Sequence, residues 1–174
     1  MRRTIRTAVI SLGLGVVVLL ALVIAQWGPH QQARALAGCG RNLNKLYIAT
    51  FEYADDHGGR YPAADRWVDE LLPYLDDPSV LRCPADRTTG RCSYAMNRRL
   101  SGVEMDQVGG PGHTVYLYEP AASGLNPSGD GKDQPARARH RYPQLVSVIS
   151  VRRYLFADGQ NSTTDSPTCP EPRW

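Results

Sequence analysis

The feature that most constrains this chain is an uncharged run, AVISLGLGVVVLLALVIA, at residues 8–25, in which Ser11 is the one polar side chain. Eighteen helical residues reach roughly 27 Å at about 1.5 Å each, close to the hydrocarbon thickness of a bilayer. A helix of that length in a soluble core would keep a polar face, and this run has none. It is expected to span a membrane. Arg2, Arg3 and Arg6 precede it, and no acidic residue occurs before Glu52. The positive-inside rule then leaves the N-terminus in the cytoplasm and exports the chain beyond the apolar run. The predicted organisation is a basic cytoplasmic N-terminus at 1–7, a transmembrane helix at 8–25, a connector at 26–35 and one extracytoplasmic domain at 36–174. The expected location is the inner (cytoplasmic) membrane, crossed once, with the domain periplasmic or extracellular.

Charge and cysteine usage agree with export. Of the 20 Lys and Arg residues, three lie before the apolar run, which leaves 17 against 17 Asp and Glu in the rest of the chain. A balanced domain lacks the basic surface that a nucleic-acid partner requires, so nucleic acid is not expected as a partner. Cys39, Cys83, Cys92 and Cys169 all fall on the exported side, where an even number of cysteines reads as two disulfides. Cys83 and Cys92 do not have the spacing of a zinc knuckle, and no CxxC occurs. Leu36-Ala37-Gly38-Cys39 would pass as a lipoprotein cleavage box. Residues 26–35 separate it from the apolar run, too far for a peptidase at the membrane surface, so an uncleaved anchor is expected.

Periodicity accounts for Cys39 differently. Leu36, Cys39, Leu43, Leu46, Thr50, Tyr53 and His57 recur at alternating spacings of three and four, which is one stripe along a helix. Gly58-Gly59 should end that helix. Pro29 is expected to kink the chain or mark the helix start, and Gly38 and Gly40 to weaken its first half. In 65–75, DRWVDELLPYL, Trp67, Val68, Leu71, Leu72 and Leu75 share a second helical face, kept short by Pro73. HTVYLY (113–118) and QLVSVISV (144–151) have the β-branched and aromatic content of strands. YLFADGQNS reads as strand, Asp158-Gly159 turn, strand. Residues 120–143, rich in Pro, Gly, Ser and Arg, read as a long loop. The fold class is α+β, with a long N-terminal helix (membrane segment continuing into a spine helix) packed on a small antiparallel sheet.

Candidate chemistry is sparse. There is no Gly-x-Ser-x-Gly elbow and no His-Glu-x-x-His, and His30, His57, His113 and His140 lack metal-ligand spacing. The chain is therefore expected not to be an enzyme and to carry no cofactor. Asn126, Ser128 and Asp130, with Gly131, sit at positions one, three, five and six of an EF-hand-like loop, which makes them calcium candidates. Arg137 stands at position twelve, where a bidentate glutamate belongs.

The stretch CGRNLNKLYIATFEYADDHGGRYPAADRWVDELLPYL (39–75) resembles the region after the spine helix in type II secretion pseudopilin-like proteins. These carry the prepilin-type processing-associated domain, named for a His, nine residues, then Asp-Gly. Matching positions include Cys39, Asn42, Leu43, Tyr61, Pro62 and Trp67, then Pro73-Tyr74-Leu75, Arg82-Cys83-Pro84 and Asp86. Further on, Ser93, Tyr94, Met96 and Asn97 match, and finally Phe156, Asp158 and Gly159. The resemblance implies a non-enzymatic component or relative of a type II secretion or type IV pilus-like assembly. Its partners would be the bilayer and other pilin-like or secretion-system proteins. Two departures stand out: no Phe-Thr-Leu-Ile-Glu-like motif opens the apolar run, and seventeen residues rather than nine separate His140 from Asp158. The alternative is a signal-anchored periplasmic sensor or binding module reusing the fold, with the Arg-rich 137–141 (RARHR) meeting an acidic ligand.

Four cysteines allow three connectivities, and the short loop between Cys83 and Cys92 favours that pair on closure entropy. The resemblance implies instead Cys39 with Cys83, which leaves Cys92 for Cys169. The Cys39–Cys83 bond would close a loop of about 45 residues and contribute roughly 4 kcal/mol on the loop-entropy model.

Overall fold

The computed structural model of the chain describes residues 2–135, 138–143, 148–164 and 172–174, with side chains except at 2–11, 25–26, 28–29 and 141–150. Helix α1 runs Arg2–Asp56, 55 residues in one piece. The connector expected at 26–35 is itself helical, and Pro29 neither starts nor ends the helix. A proline forfeits one backbone hydrogen bond, a small loss among about fifteen turns. Among the described residues no helix is long and apolar enough to cross a membrane. The segment expected to do so, 8–25, extends at both ends onto residues whose side chains lie outside the described set. Between Leu12 and Ile24 every large apolar side chain is at least half exposed.

The second half of α1 behaves as its periodicity predicts. Cys39, Leu43, Leu46 and Thr50 are fully buried and Tyr53 nearly so, while Leu36 and His57 mark the frayed ends of the stripe. The helix stops where Ala54 O accepts from both His57 N (3.0 Å) and Gly59 N (2.8 Å). Gly58 and Gly59 take φ of +64° and +75°, a left-handed conformation that favours glycine. Helix α2, Trp67–Leu71, and a 3-10 turn, Leu72–Tyr74, then carry the second apolar face; Pro73 lies in the turn and keeps α2 short. Trp67, Val68 and Leu71 join the α1 stripe in one core.

The sheet is made of β1 (Ala95–Asn97), β2 (Val115–Tyr118), β3 (Ser128–Gly129), β6 (Arg153–Phe156) and β7 (Asn161–Thr163), in the order β3-β1-β2-β6-β7. A separate antiparallel pair comprises β4 (His140–Pro143) and β5 (Val148–Val151). The strand expected at 144–151 is present from Val148, its first four residues lying outside the described set. The antiparallel sheet expected from the sequence is corrected to a mixed one, because β3 runs parallel to β1. The chain reverses once after β2, which is itself antiparallel to β1, and then lies along the far edge of β1. The long loop expected at 120–143 is likewise corrected, since it contains β3 and β4.

Strand β2 is buried at all four positions, because the sheet is covered on both faces. Leu117 and Leu155 meet the α1 stripe, and Tyr116 donates or accepts a 2.8 Å hydrogen bond with the Thr50 hydroxyl. On the other face Val115, Tyr118 and Phe156 surround the C-terminal Trp174, whose ring lies edge-on to Tyr118 at 5.0 Å. The Asp158-Gly159 turn between β6 and β7 forms as expected. Gly159 has φ +84°, and a Cβ there would come within 2.5 Å of the Tyr47 ring on α1. That turn is therefore glycine for two reasons: its backbone and its seat against the helix.

Candidate functional site

Most residues of the family-like motif join loops to one another rather than converge on a site. Asn42, one turn after Cys39 on α1, donates from Nδ2 to Arg82 O at 2.8 Å. Pro84 lies against Gly38, where an added Cβ would stand 3.0 Å from the proline ring. The buried Tyr61 hydroxyl donates to Ala157 O (3.0 Å), and Trp67 Nε1 donates to Pro127 O (2.8 Å). Pro62 is buried beside them, its carbonyl accepting from Gly102 N. Asn97 accepts from Arg99 N through its side chain and donates to Val115 O at 2.8 Å. Asp158 accepts from Gln160 N (2.9 Å), closing the hairpin turn.

Cys39, Cys83 and Tyr94 do converge, and they meet two residues that the sequence does not pair with them. α1 brings in Cys39, the turn after a 3-10 segment (Pro78–Leu81) brings in Cys83, the end of β2 brings in Glu119, and the start of β4 brings in His140. One ligand-capable atom from each of the four lies within 4.8 Å of the others. All four are buried, with at most 3% of any residue exposed. Cys39 Sγ donates to Glu119 Oε1 at 3.4 Å and accepts from the Tyr94 hydroxyl at 3.4 Å. His140 Nε2 stands 2.8 Å from Glu119 Oε1 and 3.5 Å from Cys83 Sγ. Glu119 Oε2 and His140 Nδ1 have no hydrogen-bond partner among the described residues.

The electrostatics of the cluster separate its protons unevenly. Burial pushes the Cys39 thiol well above its ordinary range. Hydrogen bonding from Cys39 brings Cys83 down to about 6 against the opposing effect of burial, with His140 assisting. Burial alone would lower His140, but its bonds to Cys83 and Glu119 carry it up to about 9. Next door, Arg139 donates to Ser93 O (2.5 Å) and Pro120 O (2.6 Å) and pairs with Asp86. Burial opposes ionisation of Asp86, yet hydrogen bonds from Ser123 and Thr88 hold its carboxyl well below the usual range.

The other candidate residues of the sequence fall as follows. Of the four histidines, His140 is buried and turns inward with Arg139, while His30, His57 and His113 are exposed. The calcium candidates are engaged elsewhere. Asn126 Oδ1 accepts from Val68 N (2.8 Å) at the start of α2, Asp130 pairs with Lys132 (2.9 Å), and Ser128 belongs to β3. The disulfide partners implied by the resemblance, Cys39 and Cys83, are neighbours, and both are free thiols here. Cys92 is also a free buried thiol, pushed up to about 12 by burial, with its Sγ donating to Tyr94 O. Its expected partner, Cys169, lies outside the described residues. The sequence signal for the cluster was weak: two cysteines 44 positions apart, one Glu ending a β-branched strand and one His in a basic run.

Above the cluster, a cleft of about 750 Å³ opens between α1 at Gln31–Ala35 and the loop at Pro84–Thr88, with His140 and Arg139 in its wall. No family model matches the chain, no curated protein matches it, and no solved structure matches it.

Proposed function

We propose that this chain is a membrane-anchored, extracytoplasmic, pilin-like assembly protein without enzymatic activity. The first half of α1 packs laterally in the membrane or filament, and the α+β head presents a surface to pilin-like or secretion-system partners. The observation that carries the reading is the division of α1. It is one unbroken helix from Arg2 to Asp56, yet the head is built around its second half only. Leu12 through Ile24 are left uncovered, with exposures of 50% to 72%. A helix apolar on every side has no stable free state in water and is satisfied by lipid or by copies of itself. The basic N-terminus, Arg2, Arg3 and Arg6, supports a cytoplasmic end.

The cleft beside Arg34, Arg87 and Arg139 favours a second reading, a tethered module that binds an anionic ligand. Cross-linking of the full chain in native membranes separates the two. The assembly reading expects a ladder of oligomers through residues placed at 12–24. A single monomer band under conditions that link a known oligomeric membrane protein would overturn it and leave the tether.

A further inference from the structure

We infer that Cys39, Cys83, Glu119 and His140 form a binding site for a zinc-class divalent cation, which fastens the second half of α1 to the head. The inference is independent of the assembly reading, since it concerns the head alone.

The donor set points to that class of metal. Two sulfurs, one imidazole nitrogen and one carboxylate oxygen suit a borderline-soft ion with four ligands, whereas calcium and magnesium take oxygen shells. Three of the six edges can be compared with a tetrahedral site, and all six lie within 4.8 Å. Bonds of about 2.3 Å to sulfur and about 2.0–2.2 Å to nitrogen and oxygen, at tetrahedral angles, give edges of about 3.5–3.7 Å from sulfur to nitrogen or oxygen. The Cys83–His140 edge is 3.5 Å and the Cys39–Glu119 edge 3.4 Å. The His140–Glu119 edge, now 2.8 Å, must open by about 0.6 Å to the roughly 3.4 Å of a nitrogen–oxygen edge.

A disulfide between Cys39 and Cys83 would account for the two sulfurs but not for the other half of the cluster. A carboxylate and an imidazole have been carried to almost complete burial beside that pair, with Glu119 Oε1 and His140 Nε2 aimed at the sulfurs. Buried ionisable groups are costly unless something compensates their charge, and a cation at the centre of the four does so directly. Binding releases to solvent the thiol protons of the cysteines and any proton on His140 Nε2, so that each donor presents a lone pair. Four protein ligands fill the tetrahedron, which makes the site structural rather than catalytic. His140 and Pro84 lie in the wall of the cleft, which places the buried cluster one side chain away from it.

The placement gives the site its consequence. Among the described residues Cys39 is the first fully buried apolar side chain on α1, at the point where the helix enters the head. A cation there would bind the helix to the Cys83 turn, to β2 and to β4 at once.

The test uses the full chain in detergent, reduced and freed of metal, titrated with Zn²⁺ and separately with Co²⁺. One equivalent per chain is expected. The cobalt form should show thiolate-to-metal charge transfer and the intense visible bands of a tetrahedral site. Zn²⁺ should raise the thermal midpoint of the head. Cys39→Ser, Cys83→Ser and His140→Ala should each weaken binding by at least about 10–100-fold, the loss typical of outer-shell changes alone. Cys92→Ser, an equally buried thiol outside the cluster, should leave binding unchanged. Should a ligand variant fail to fold, the wild-type chain still decides: a reduced, folded chain that takes up neither ion overturns the site. So does a chain purified without metal and lighter by two hydrogens, with the Cys39 and Cys83 peptides joined.

Discussion

The two halves of α1 share one backbone and differ in almost everything else. From Leu12 to Ile24 the helix is apolar on every side and its large side chains are at least half exposed. From Cys39 to Tyr53 one apolar stripe is sealed against the head, while Ile48 and Phe51 remain exposed outside it. The difference lies in the placing of polar residues. Arg41, Asn44, Lys45 and Glu52 leave a single stripe at three- and four-residue spacing for the second half, and one small head can cover one stripe. The first half carries no such stripe, and the head leaves its large side chains uncovered. Helical propensity cannot distinguish the halves; the neighbours that each one demands can.

The comparison breaks first at matched leucines. Leu43→Ala should destabilise the head by about 2–5 kcal/mol, because a fully buried side chain leaves a cavity. Leu19→Ala, the same change on the uncovered half, should leave head stability within about 0.5 kcal/mol. Urea unfolding of the full chain in detergent, followed by near-ultraviolet circular dichroism of the aromatic core, reads both. Equal effects at the two positions would abolish the distinction.

A smaller effect sharpens it at the turns that hold the second half. Gly159→Ala should cost about 1–3 kcal/mol, through both its positive φ and the Tyr47 ring that a Cβ would strike. Gly59→Ala shares the positive φ but meets open space, and should cost only about 1 kcal/mol. Thermal unfolding of the pair measures what the contact with α1 adds to the backbone preference.

The smallest effect concerns the fastening beside the cysteines. Asn42→Ala removes the 2.8 Å bond to Arg82 O and should lower stability by about 1 kcal/mol. Amide exchange should quicken across 80–84 and stay unchanged at 12–24. Exchange that rises equally along the whole helix would show that the two halves are not independent.

Local information carried the helices, the stripe and the hairpin. Three- and four-residue spacing placed Cys39, Leu43, Leu46, Thr50 and Tyr53 on one buried face, paired glycines marked where α1 stops, and Asp158-Gly159 marked the β6–β7 turn. Each is a rule about neighbours within a few residues, so the sequence states it directly. The parallel pairing of β3 with β1 and the continuity of α1 through Pro29 are not local in that sense. The first depends on where a returning loop finds an open edge, the second on a long helix tolerating one lost bond. The cluster lies furthest from anything the sequence states. Cys39, Cys83, Glu119 and His140 come from four elements, and the 17 residues between His140 and Asp158 hold part of β4, all of β5 and the whole of β6. What made those four neighbours was the packing of β4 and the Cys83 turn against α1, a result of burying apolar surface that no spacing between charged or sulfur-bearing residues records.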